Sequence, residues 1–371
     1  MYQHRLTRQF AYLAFVLILF SSITSCKNED QKKTSEPETE AKAEPTSKVE
    51  TPEGMVWVEE KTFLQGAKDS DQYAMPREKP SHWVTVDGFF MDITEVTNKQ
   101  FKAFVEATNY MTIAEREIDW EEMKQELPPN TPKPHDSILQ PGSLIFNKDV
   151  NAVVNMENYG QWWTWKTGAD WRHPDGPEST IEGKDDYPVV HVAYQDALAY
   201  CEWANRRLPT EAEWESAAQG KNSNTIFTWG NDAVKLDANA NTWQGVFPTS
   251  NDSEDGFEFI SPVKSYPPNS IGLYDMAGNV WEITNDFFSV KYYSELDTSK
   301  PIVNPKGAAT HFNPNNPYQV EHVMKGGSFL CHASYCASFR ISAKMGVSVD
   351  SGSDHMGFRT VATPDMLSSK E

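Results

Sequence analysis

Residues 207–215 read RLPTEAEWE, and this stretch predicts the start of a helix. Thr210 and Glu213 have the spacing of a capping box, in which the side chain of each residue accepts from the backbone N–H of the other at the first turn. Trp214 and two alanines follow as apolar positions. Gly220 is a suitable end, because glycine readily adopts the backbone conformation that terminates helices. The stretch therefore predicts a short helix that ends before Gly220.

Three other segments are regular enough to predict an element. Residues 97–107 place apolar side chains at helical spacing, namely Phe101, Phe104 and Val105. Residues 188–192 (PVVHV) predict a short buried strand, and residues 196–206 predict a helix that buries Leu198, Cys201 and Trp203. Much of the remaining chain is Gly, Pro, Asn and Trp in irregular order. The sequence therefore predicts an α+β domain with many loops, whose buried backbone groups need partners.

The first 26 residues predict a secretory signal that is not part of the fold. Arg5 and Arg8 supply positive charge, residues 10–20 form a short apolar run, and small residues lead to Cys26. A cysteine in this position resembles a bacterial lipoprotein processing site. The run is shorter than the roughly 20 apolar residues that span a bilayer, which argues against a transmembrane anchor. We therefore expect a lipid anchor on Cys26 and a location in the bacterial cell envelope, as a periplasmic or outer-membrane lipoprotein.

Residues 27–53 consist mainly of Glu, Lys, Pro, Ser and Thr, and this composition predicts a disordered tether. From residue 54 the composition becomes rich in aromatic residues, and residues 54–365 are predicted to form one domain. The 371-residue chain has 53 acidic and 33 basic residues, a formal net charge of −20. Such an acidic chain repels nucleic acid, so no nucleic-acid partner is expected.

The two cysteines of residues 325–336 (KGGSFLCHASYC) are the strongest chemical signal. On a regular strand, Cys331 and Cys336 would point to opposite faces, so the segment must turn for their sulfurs to meet. Gly326 and Gly327 permit such a turn. The pair could form a structural disulfide, act as a redox dithiol without the usual Cys-x-x-Cys spacing, or bind a soft metal such as Cu(I). The residues alone leave these alternatives open.

From Gly54 to about Thr363 the sequence resembles the formylglycine-generating enzyme family, also called sulfatase-modifying factors. Matching motifs occur throughout: MVWVEEKTFLQGAKD (55–69), FFMDITEVTNKQFKAFV (89–105), WRHPDGPESTI (171–181), RLPTEAEWE (207–215), NTWQGVFP (241–248), GLYDMAGNVWEITNDFF (272–288), the cysteine segment and MGFR (356–359). RLPTEAEWE, GNVWE and GFR occur across the wider superfamily, so they indicate the fold, an irregular, loop-rich, C-type-lectin-like domain. The cysteine segment is more restrictive and indicates the activity.

That resemblance implies a copper-dependent oxidase. In the family, two cysteines bind Cu(I), and a cysteine in the Cys-x-Pro-x-Arg motif of an unfolded or nascent sulfatase is oxidised with O2. Hydrolysis of a thioaldehyde then leaves Cα-formylglycine. Here Cys331 and Cys336 would be the copper ligands, with Cys336 at the more buried end. Four more residues are implied to line the pocket: Ser328 at the oxygen site, Trp281 as a wall, and His332 and Tyr335. For His332 the alternative is a hydrogen-bonded core histidine.

The resemblance also implies two calcium sites. The first would use Asn241, the Thr242 carbonyl, Asp255 and the Phe257 carbonyl. The second would use Asp275, the carbonyls of Gly278 and Val280, and Glu282. Both sets contain only oxygen ligands, as Ca²⁺ prefers.

Two other functions remain open. Envelope and gliding-motility lipoproteins without catalytic activity share this fold and signal, which gives a binding or structural module as the main alternative. Iron-dependent sulfoxide synthases of the superfamily need histidines from an extra helical domain, for which this chain has no room. One departure concerns the site: His355 stands where vertebrate family members have an active-site asparagine.

Overall fold

The structure, a computed structural model, describes residues 50–368. The predicted signal with Cys26 and the predicted tether up to residue 49 lie outside the described residues. Six α-helices lie within this range: α1 (Asn98–Thr108), α2 (Trp120–Met123), α3 (Tyr194–Ala204), α4 (Glu211–Gln219), α5 (Tyr292–Glu295) and α6 (Pro364–Ser368). None of these described helices is both long enough and apolar enough to cross a membrane.

Fourteen short strands lie in the same part of the chain: β1 (Met55–Val58), β2 (Lys61–Gln65), β3 (His82–Val86), β4 (Phe89–Asp92), β5 (Gly142–Phe146), β6 (Trp163–Thr167), β7 (Gly245–Val246), β8 (Ser250–Asn251), β9 (Trp281–Phe287), β10 (Ile302–Val303), β11 (Glu321–Lys325), β12 (Met345–Ser348), β13 (Met356–Gly357) and β14 (Val361–Ala362). They form a four-stranded sheet of order β12-β11-β9-β13, two three-stranded sheets of orders β1-β4-β14 and β10-β3-β2, and the pairs β5-β6 and β7-β8.

The elements are short, and long loops join them. The longest strand, β9, has seven residues, and the longest helices have eleven. In the four-stranded sheet, β11 is antiparallel to both β12 and β9, while β13 is parallel to β9. This mixture of small sheets, helices and loops confirms the predicted α+β, loop-rich fold class.

The RLPTEAEWE stretch forms α4 as predicted. The Thr210 hydroxyl accepts from the N–H of Glu213, and the Glu213 carboxylate accepts from the N–H of Thr210. The helix ends at Gly220, which has a φ of +56°. All nine of its residues are buried, and Trp214 is buried completely. Because no face meets solvent, the helix lies in the interior and contacts several sheets.

Buried charges join α4 to the four-stranded sheet. Glu215 pairs with Lys325, at the end of β11, at 2.7 Å. The indole N–H of Trp214 donates to Glu282 on β9 at 2.7 Å, and Arg359 donates twice to the same carboxylate at 2.6 and 2.7 Å. These charged side chains are at most 1% exposed, so losing one partner would leave a costly unpaired charge. The network fixes β9 and β11, and the loops attached to them, relative to α4.

Helix α1 confirms the helix predicted over residues 97–107. Thr97 precedes the helix and forms a capping box with Gln100. The three apolar side chains at helical spacing are all buried, at 5% exposure or less: Phe101, Phe104 and Val105. The helical spacing of the apolar residues was therefore a sufficient signal here, and the capping box is an additional feature that the structure reveals.

The strand predicted at residues 188–192 is wrong, although the segment is buried. Only Pro188 makes a strand-like bridge, and proline has no N–H with which to continue a ladder. His191 has a φ of +60°, which breaks the extended backbone, and its N–H donates to the Ser353 carbonyl. The apolar run is thus a buried loop.

Helix α3 begins two residues before the predicted 196–206 and ends at Ala204. The burial of Cys201 is confirmed. The burial of Leu198 and Trp203 is wrong, since these side chains are 39% and 42% exposed. The face toward the core consists of Ala197, Tyr200 and Cys201. At 3.6 residues per turn, Leu198 and Trp203 lie to either side of that face.

Candidate active site

A reversal of the backbone brings the two cysteines together after β11. Gly326 and Gly327 have φ values of +89° and +75°, which residues with side chains rarely adopt. Gly327 also passes close to the other arm of the loop: a Cβ there would lie 2.8 Å from the carbonyl carbon of Ser338. The N–H of Cys336 donates to the His332 carbonyl at 3.0 Å within one helical turn. The turn that the cysteine spacing required is confirmed.

Cys331 and Cys336 are free thiols that lie close enough to shift each other's pKa. Burial, followed by the interaction with Cys336, raises the pKa of Cys331 well above its usual range. Burial also opposes ionisation of Cys336, but the Cys331 thiol together with hydrogen bonds from the Ser338 and His332 region lowers the pKa of Cys336. Cys336 is therefore the sulfur that more readily becomes a thiolate.

The relative burial of the two cysteines is opposite to the expectation. Cys331 is 2% exposed, whereas Cys336, expected at the more buried end, is half-buried. Backbone hydrogen bonds hold Cys331 inside: its N–H donates to the Ser328 carbonyl at 2.9 Å, and its carbonyl accepts from the N–H of Trp243 at 3.1 Å. Cys336 lies at the edge of the same hydrophobic cluster. An incoming molecule would therefore meet Cys336 first.

Ser328 and Trp281 lie on the interior side of the pair. Ser328 is fully buried, and its N–H donates to the sulfur of Cys331 at 3.4 Å. Trp281, the first residue of β9, is 2% exposed and belongs to the hydrophobic cluster that contains Cys331. Both residues thus belong to the buried surroundings of Cys331.

His332 and Tyr335 lie on the outer side of the cysteine loop. His332 is half-buried, and its Nδ1 accepts from the N–H of Ser334 at 3.2 Å. Burial lowers the pKa of this imidazole. It is hydrogen-bonded but not a core residue. Tyr335 is 36% exposed and stacks on Phe247, with ring centroids 4.6 Å apart. The loop thus presents an imidazole and an aromatic ring close to Cys336.

His355, the residue that departs from the family pattern, lies next to Trp281. Its carbonyl accepts from the N–H of Trp281 at 2.9 Å, and its Nδ1 contacts the Ser353 hydroxyl at 2.8 Å. The imidazole also lies 4.8 Å from the ring of Trp163 on β6. These contacts hold the ring beside the pocket wall.

Two of the groups expected at the first calcium site, the Thr242 carbonyl and the Asp255 carboxylate, lie close together. The Thr242 carbonyl and Asp255 Oδ2 both accept from Nε2 of Gln244, at 2.6 and 3.0 Å, so they lie within contact of one atom. Asn241 Oδ1 is buried without a hydrogen-bond partner. The N–H of Phe257 donates to Asp255 Oδ1, and burial raises the pKa of Asp255. An unsatisfied amide oxygen beside a carboxylate and a carbonyl fits a hard cation.

The second expected set is only partly free to bind a cation. Asp275 Oδ1 is buried without a hydrogen-bond partner, and burial raises the pKa of this carboxyl to about 6. The loop from Asp275 passes through Gly278 and Val280 to Glu282. The Glu282 oxygens accept from Arg359 and from the Trp214 indole. Asp275 Oδ1 is therefore the unsatisfied carboxylate oxygen of this set, since Oδ2 accepts from the N–H of Lys264.

Glu95, which no pattern in the sequence singled out, lies beside the second set. Its Oε2 is buried without a hydrogen-bond partner. Burial, followed by repulsion from Asp275, raises the pKa of Glu95 well above its usual range. Two mutually repelling carboxylates with unsatisfied oxygens form a better donor set for Ca²⁺ than Asp275 alone.

Asn279 connects both sets to the cysteine loop. Its side chain donates to Glu95 at 3.0 Å and accepts from Asn241 at 3.2 Å. Its carbonyl accepts from the N–H of Phe329 in the cysteine loop at 2.9 Å. Among residues 50–368, no three His, Cys, Asp or Glu side chains group closely enough to hold a metal by themselves. The candidate sites therefore depend on two sulfurs, or on carboxylates combined with amide and carbonyl oxygens.

Comparison with known proteins identifies the family. A family model described as "Sulfatase-modifying factor enzyme 1-like domain" matches residues 39–364. The chain belongs to this family. The formylglycine-generating enzyme of Bos taurus is 39% identical over 321 residues, which cover 86% of this chain and 77% of the relative. That of Thermomonospora curvata is 39% identical over 317 residues, covering 85% and 95%. As a sulfatase-modifying factor with such relatives, the chain is an oxidase.

Two further comparisons define what the fold alone shows. A mouse relative named "Inactive C-alpha-formylglycine-generating enzyme 2" is 36% identical over 309 residues, covering 81% of this chain and 83% of the relative. The solved structure of PvdO from Pseudomonas aeruginosa is 20% identical with a TM-score of 0.53, covering 86% of this chain and 98% of PvdO. The fold is thus shared beyond the named enzymes, and the activity must be argued from the site.

Proposed function

We propose that this sulfatase-modifying factor oxidises the cysteine of a sulfatase Cys-x-Pro-x-Arg motif to Cα-formylglycine, with O2 as oxidant and Cu(I) held by Cys331 and Cys336. The observation that carries the proposal is the pair of neighbouring free thiols on one turned loop, in a chain related to named formylglycine-generating enzymes. The test is the oxidation of a peptide with this motif by the copper-loaded protein, followed by mass spectrometry.

The thiol pair fits copper. Two sulfurs and no nitrogen or carboxylate make a donor set that favours Cu(I) over harder ions, and two protein ligands leave room for a third from the substrate. Zinc usually has four protein ligands in structural sites. When bound, Cu(I) would supply the means of activating O2 next to the substrate cysteine.

The chemistry defines what the surrounding residues must do. Oxidation of the CH2–SH side chain to a thioaldehyde removes two protons and two electrons, which reduce O2 to hydrogen peroxide. Water then replaces the sulfur, which leaves as hydrogen sulfide. Half-buried Cys336 would meet the substrate thiol, and buried Ser328 and Trp281 would exclude bulk water from the inner side. His332 and Tyr335, on the outer side, would contact the peptide.

We also propose that two calcium ions stabilise the loops next to the cysteine pair. The first would bind Asn241 Oδ1, the Thr242 and Phe257 carbonyls and Asp255. The second would bind Asp275 and Glu95, with the Gly278 and Val280 carbonyls. The proposal is supported by the unpaired buried oxygens of Asn241, Asp275 and Glu95. It replaces Glu282 with Glu95, because Arg359 already neutralises Glu282.

Removing calcium is expected to lower the melting temperature by several degrees. A ligand that binds only the folded state at about 100 times its Kd stabilises that state by about 2.7 kcal/mol. Thermal melts of the protein with calcium and with a chelator, together with elemental analysis, measure this effect. Magnesium in place of calcium is the control. Identical melts and no bound calcium would contradict the proposal.

We propose, finally, that a lipid on Cys26 anchors the enzyme to the cell envelope and that residues 27–53 serve only as a tether. A chain that starts at Thr51 should therefore oxidise the peptide at the rate of the full chain, because the proposed site and the residues that position it all lie after Thr51. Cys26→Ser should leave the rate unchanged and move the protein out of the membrane fraction. If the shortened chain folds but has lost activity, the tether proposal is wrong.

A further inference from the structure

The residue after Cys336 has a backbone conformation that alanine rarely adopts. Ala337 has a φ of +42°, in the left-handed region that a Cβ disfavours. Its N–H donates to the His332 carbonyl at 3.1 Å, so this conformation closes the helical turn that carries Cys336. Ala337 is 3% exposed and packs in the hydrophobic cluster that contains Cys331. The placement of Cys336 against Cys331 therefore depends on a strained residue.

Arg340 holds that residue in place. Its Nε donates to the Ala337 carbonyl at 2.8 Å. Its two terminal nitrogens donate to Glu78 at 2.7 and 2.9 Å and to Asp71 at 2.6 Å. Arg340 and Glu78 are 1% exposed and Asp71 is 5% exposed. The planar guanidinium can serve two carboxylates and a carbonyl at once, whereas the single nitrogen of lysine cannot.

The three contacts have different consequences. The bonds to Asp71 and Glu78 attach Arg340 to the segment before β3 and neutralise two buried carboxylates, which is a purely structural role. The Nε bond alone reaches the cysteine loop. It fixes the carbonyl that directly follows Cys336, on the arm that also passes close to Gly327.

We propose that Arg340 is a positioning residue for the thiol pair and that it acts on Cys336 through the Ala337 carbonyl. The inference rests on the copper site proposed above. Without the Nε bond, Ala337 would relax out of the left-handed region. Metal binding would then have to restore that conformation, and the free energy required would lower the affinity for Cu(I). Glycine at this position adopts the left-handed region readily, so it would remove the need for Arg340.

Four variants test this inference: Arg340→Lys, Ala337→Gly, the double variant with both changes, and Arg207→Lys as a matched control. Arg207 also forms a two-pronged pair with a glutamate, Glu213, and donates to the Leu208 carbonyl, but it does not contact the cysteine loop. Each protein is titrated with Cu(I) against a coloured Cu(I) chelator. In the metal-free proteins, the rate at which diamide oxidises the two thiols to a disulfide gives a second reading of the distance between the sulfurs.

Arg340→Lys should weaken Cu(I) binding about tenfold, the order of the cost of one left-handed alanine. It should also slow disulfide formation. Adding Ala337→Gly should restore both, while Ala337→Gly alone and Arg207→Lys should leave both unchanged. Wild-type Cu(I) binding in Arg340→Lys, or a loss that glycine does not restore, would overturn the inference. If Arg340→Lys does not fold, Glu78→Gln, which weakens the anchoring of Arg340, replaces it with the same expectations.

The two proposals fail in different ways. If the wild-type protein does not bind Cu(I), the proposed function is wrong. The diamide rates then still decide whether Arg340 positions the thiols. If the wild type binds Cu(I) and Arg340→Lys equals it in both measurements, only the inference about Arg340 is wrong.

Discussion

Replacing Cys331 or Cys336 with serine is expected to lower peptide oxidation by roughly a thousandfold or more, the scale seen when a residue essential to the chemistry is removed. Each change takes away one of two sulfur ligands and leaves a soft cation with a single protein ligand. Either variant should therefore also bind Cu(I) far more weakly than the wild type. Activity on the peptide and Cu(I) affinity are measured on the same preparations.

The fold should survive these changes. Serine is close to cysteine in size, and at position 331 its oxygen can still accept from the N–H of Ser328, as the sulfur does at 3.4 Å. Cys201→Ser is the control: Cys201 is also a buried free thiol, 3% exposed, but it lies on α3. This variant should keep full activity. A structural disulfide predicts instead that the 331 and 336 variants lose about 2–5 kcal/mol of stability. That loss with activity retained would refute the copper site.

Replacing Arg359 with methionine is expected to have the largest effect on stability. Arg359 and Glu282 are completely buried, and Glu95 and Asp275 add negative charge nearby. Removal of the guanidinium leaves these carboxylates without a cation, which costs about 3–5 kcal/mol for a buried pair. The melting temperature should fall by roughly 10 °C, and calcium should raise it by more in this variant than in the wild type.

Arg207→Met is the matched control for this prediction. The Arg207–Glu213 pair has the same two-pronged geometry, with contacts of 2.6 and 2.7 Å, but its arginine is 31% exposed. A partly solvated pair should contribute no more than about 1 kcal/mol. Equal losses in the two variants would show that burial does not govern the contribution of these ion pairs.

Local signals in the sequence were sufficient for two of the helices. Thr210 and Glu213 defined the start of α4, and the helical spacing of Phe101, Phe104 and Val105 defined α1. Both signals act within four residues, so no knowledge of the rest of the chain was needed. The family resemblance supplied the overall fold, which no periodicity could have given.

The sequence predictions that were wrong failed because of contacts between parts of the chain that are distant in sequence. Residues 188–192 are apolar like a strand, yet Ser353, far along the chain, accepts from the N–H of His191 in place of a neighbouring strand. Leu198 and Trp203 are apolar but lie outside the core face of α3. The order of burial of Cys331 and Cys336 depends on bonds to Ser328 and Trp243 that spacing does not reveal.

The candidate site was predictable where residue type fixes the chemistry and unpredictable where the contacts are distant. The sulfur pair could be picked out from the sequence, but the spacing of its cysteines left a disulfide, a redox dithiol and a soft-metal site open, and the copper role came from the family resemblance. Glu95 could not be chosen from the sequence, because its partner Asp275 is distant in sequence. The signal for Glu95 in the sequence was that it is a single acid among the uncharged residues of ITEVTN, before the lysine at 99. Arg340 was missed for the same reason, since Glu78 lies far from it in sequence.

Oxidation of a substrate peptide by the wild-type protein decides whether the thiol pair is catalytic. The wild-type protein, loaded with Cu(I) and supplied with O2, is incubated with a peptide that contains Cys-x-Pro-x-Arg, and the peptide mass is followed. We expect replacement of the cysteine by formylglycine, which is the loss of one sulfur and two hydrogens and the gain of one oxygen, and no change in a Ser-x-Pro-x-Arg peptide. A fully folded protein that binds Cu(I) but leaves the cysteine peptide unchanged would contradict this expectation and favour a non-catalytic lipoprotein on this fold.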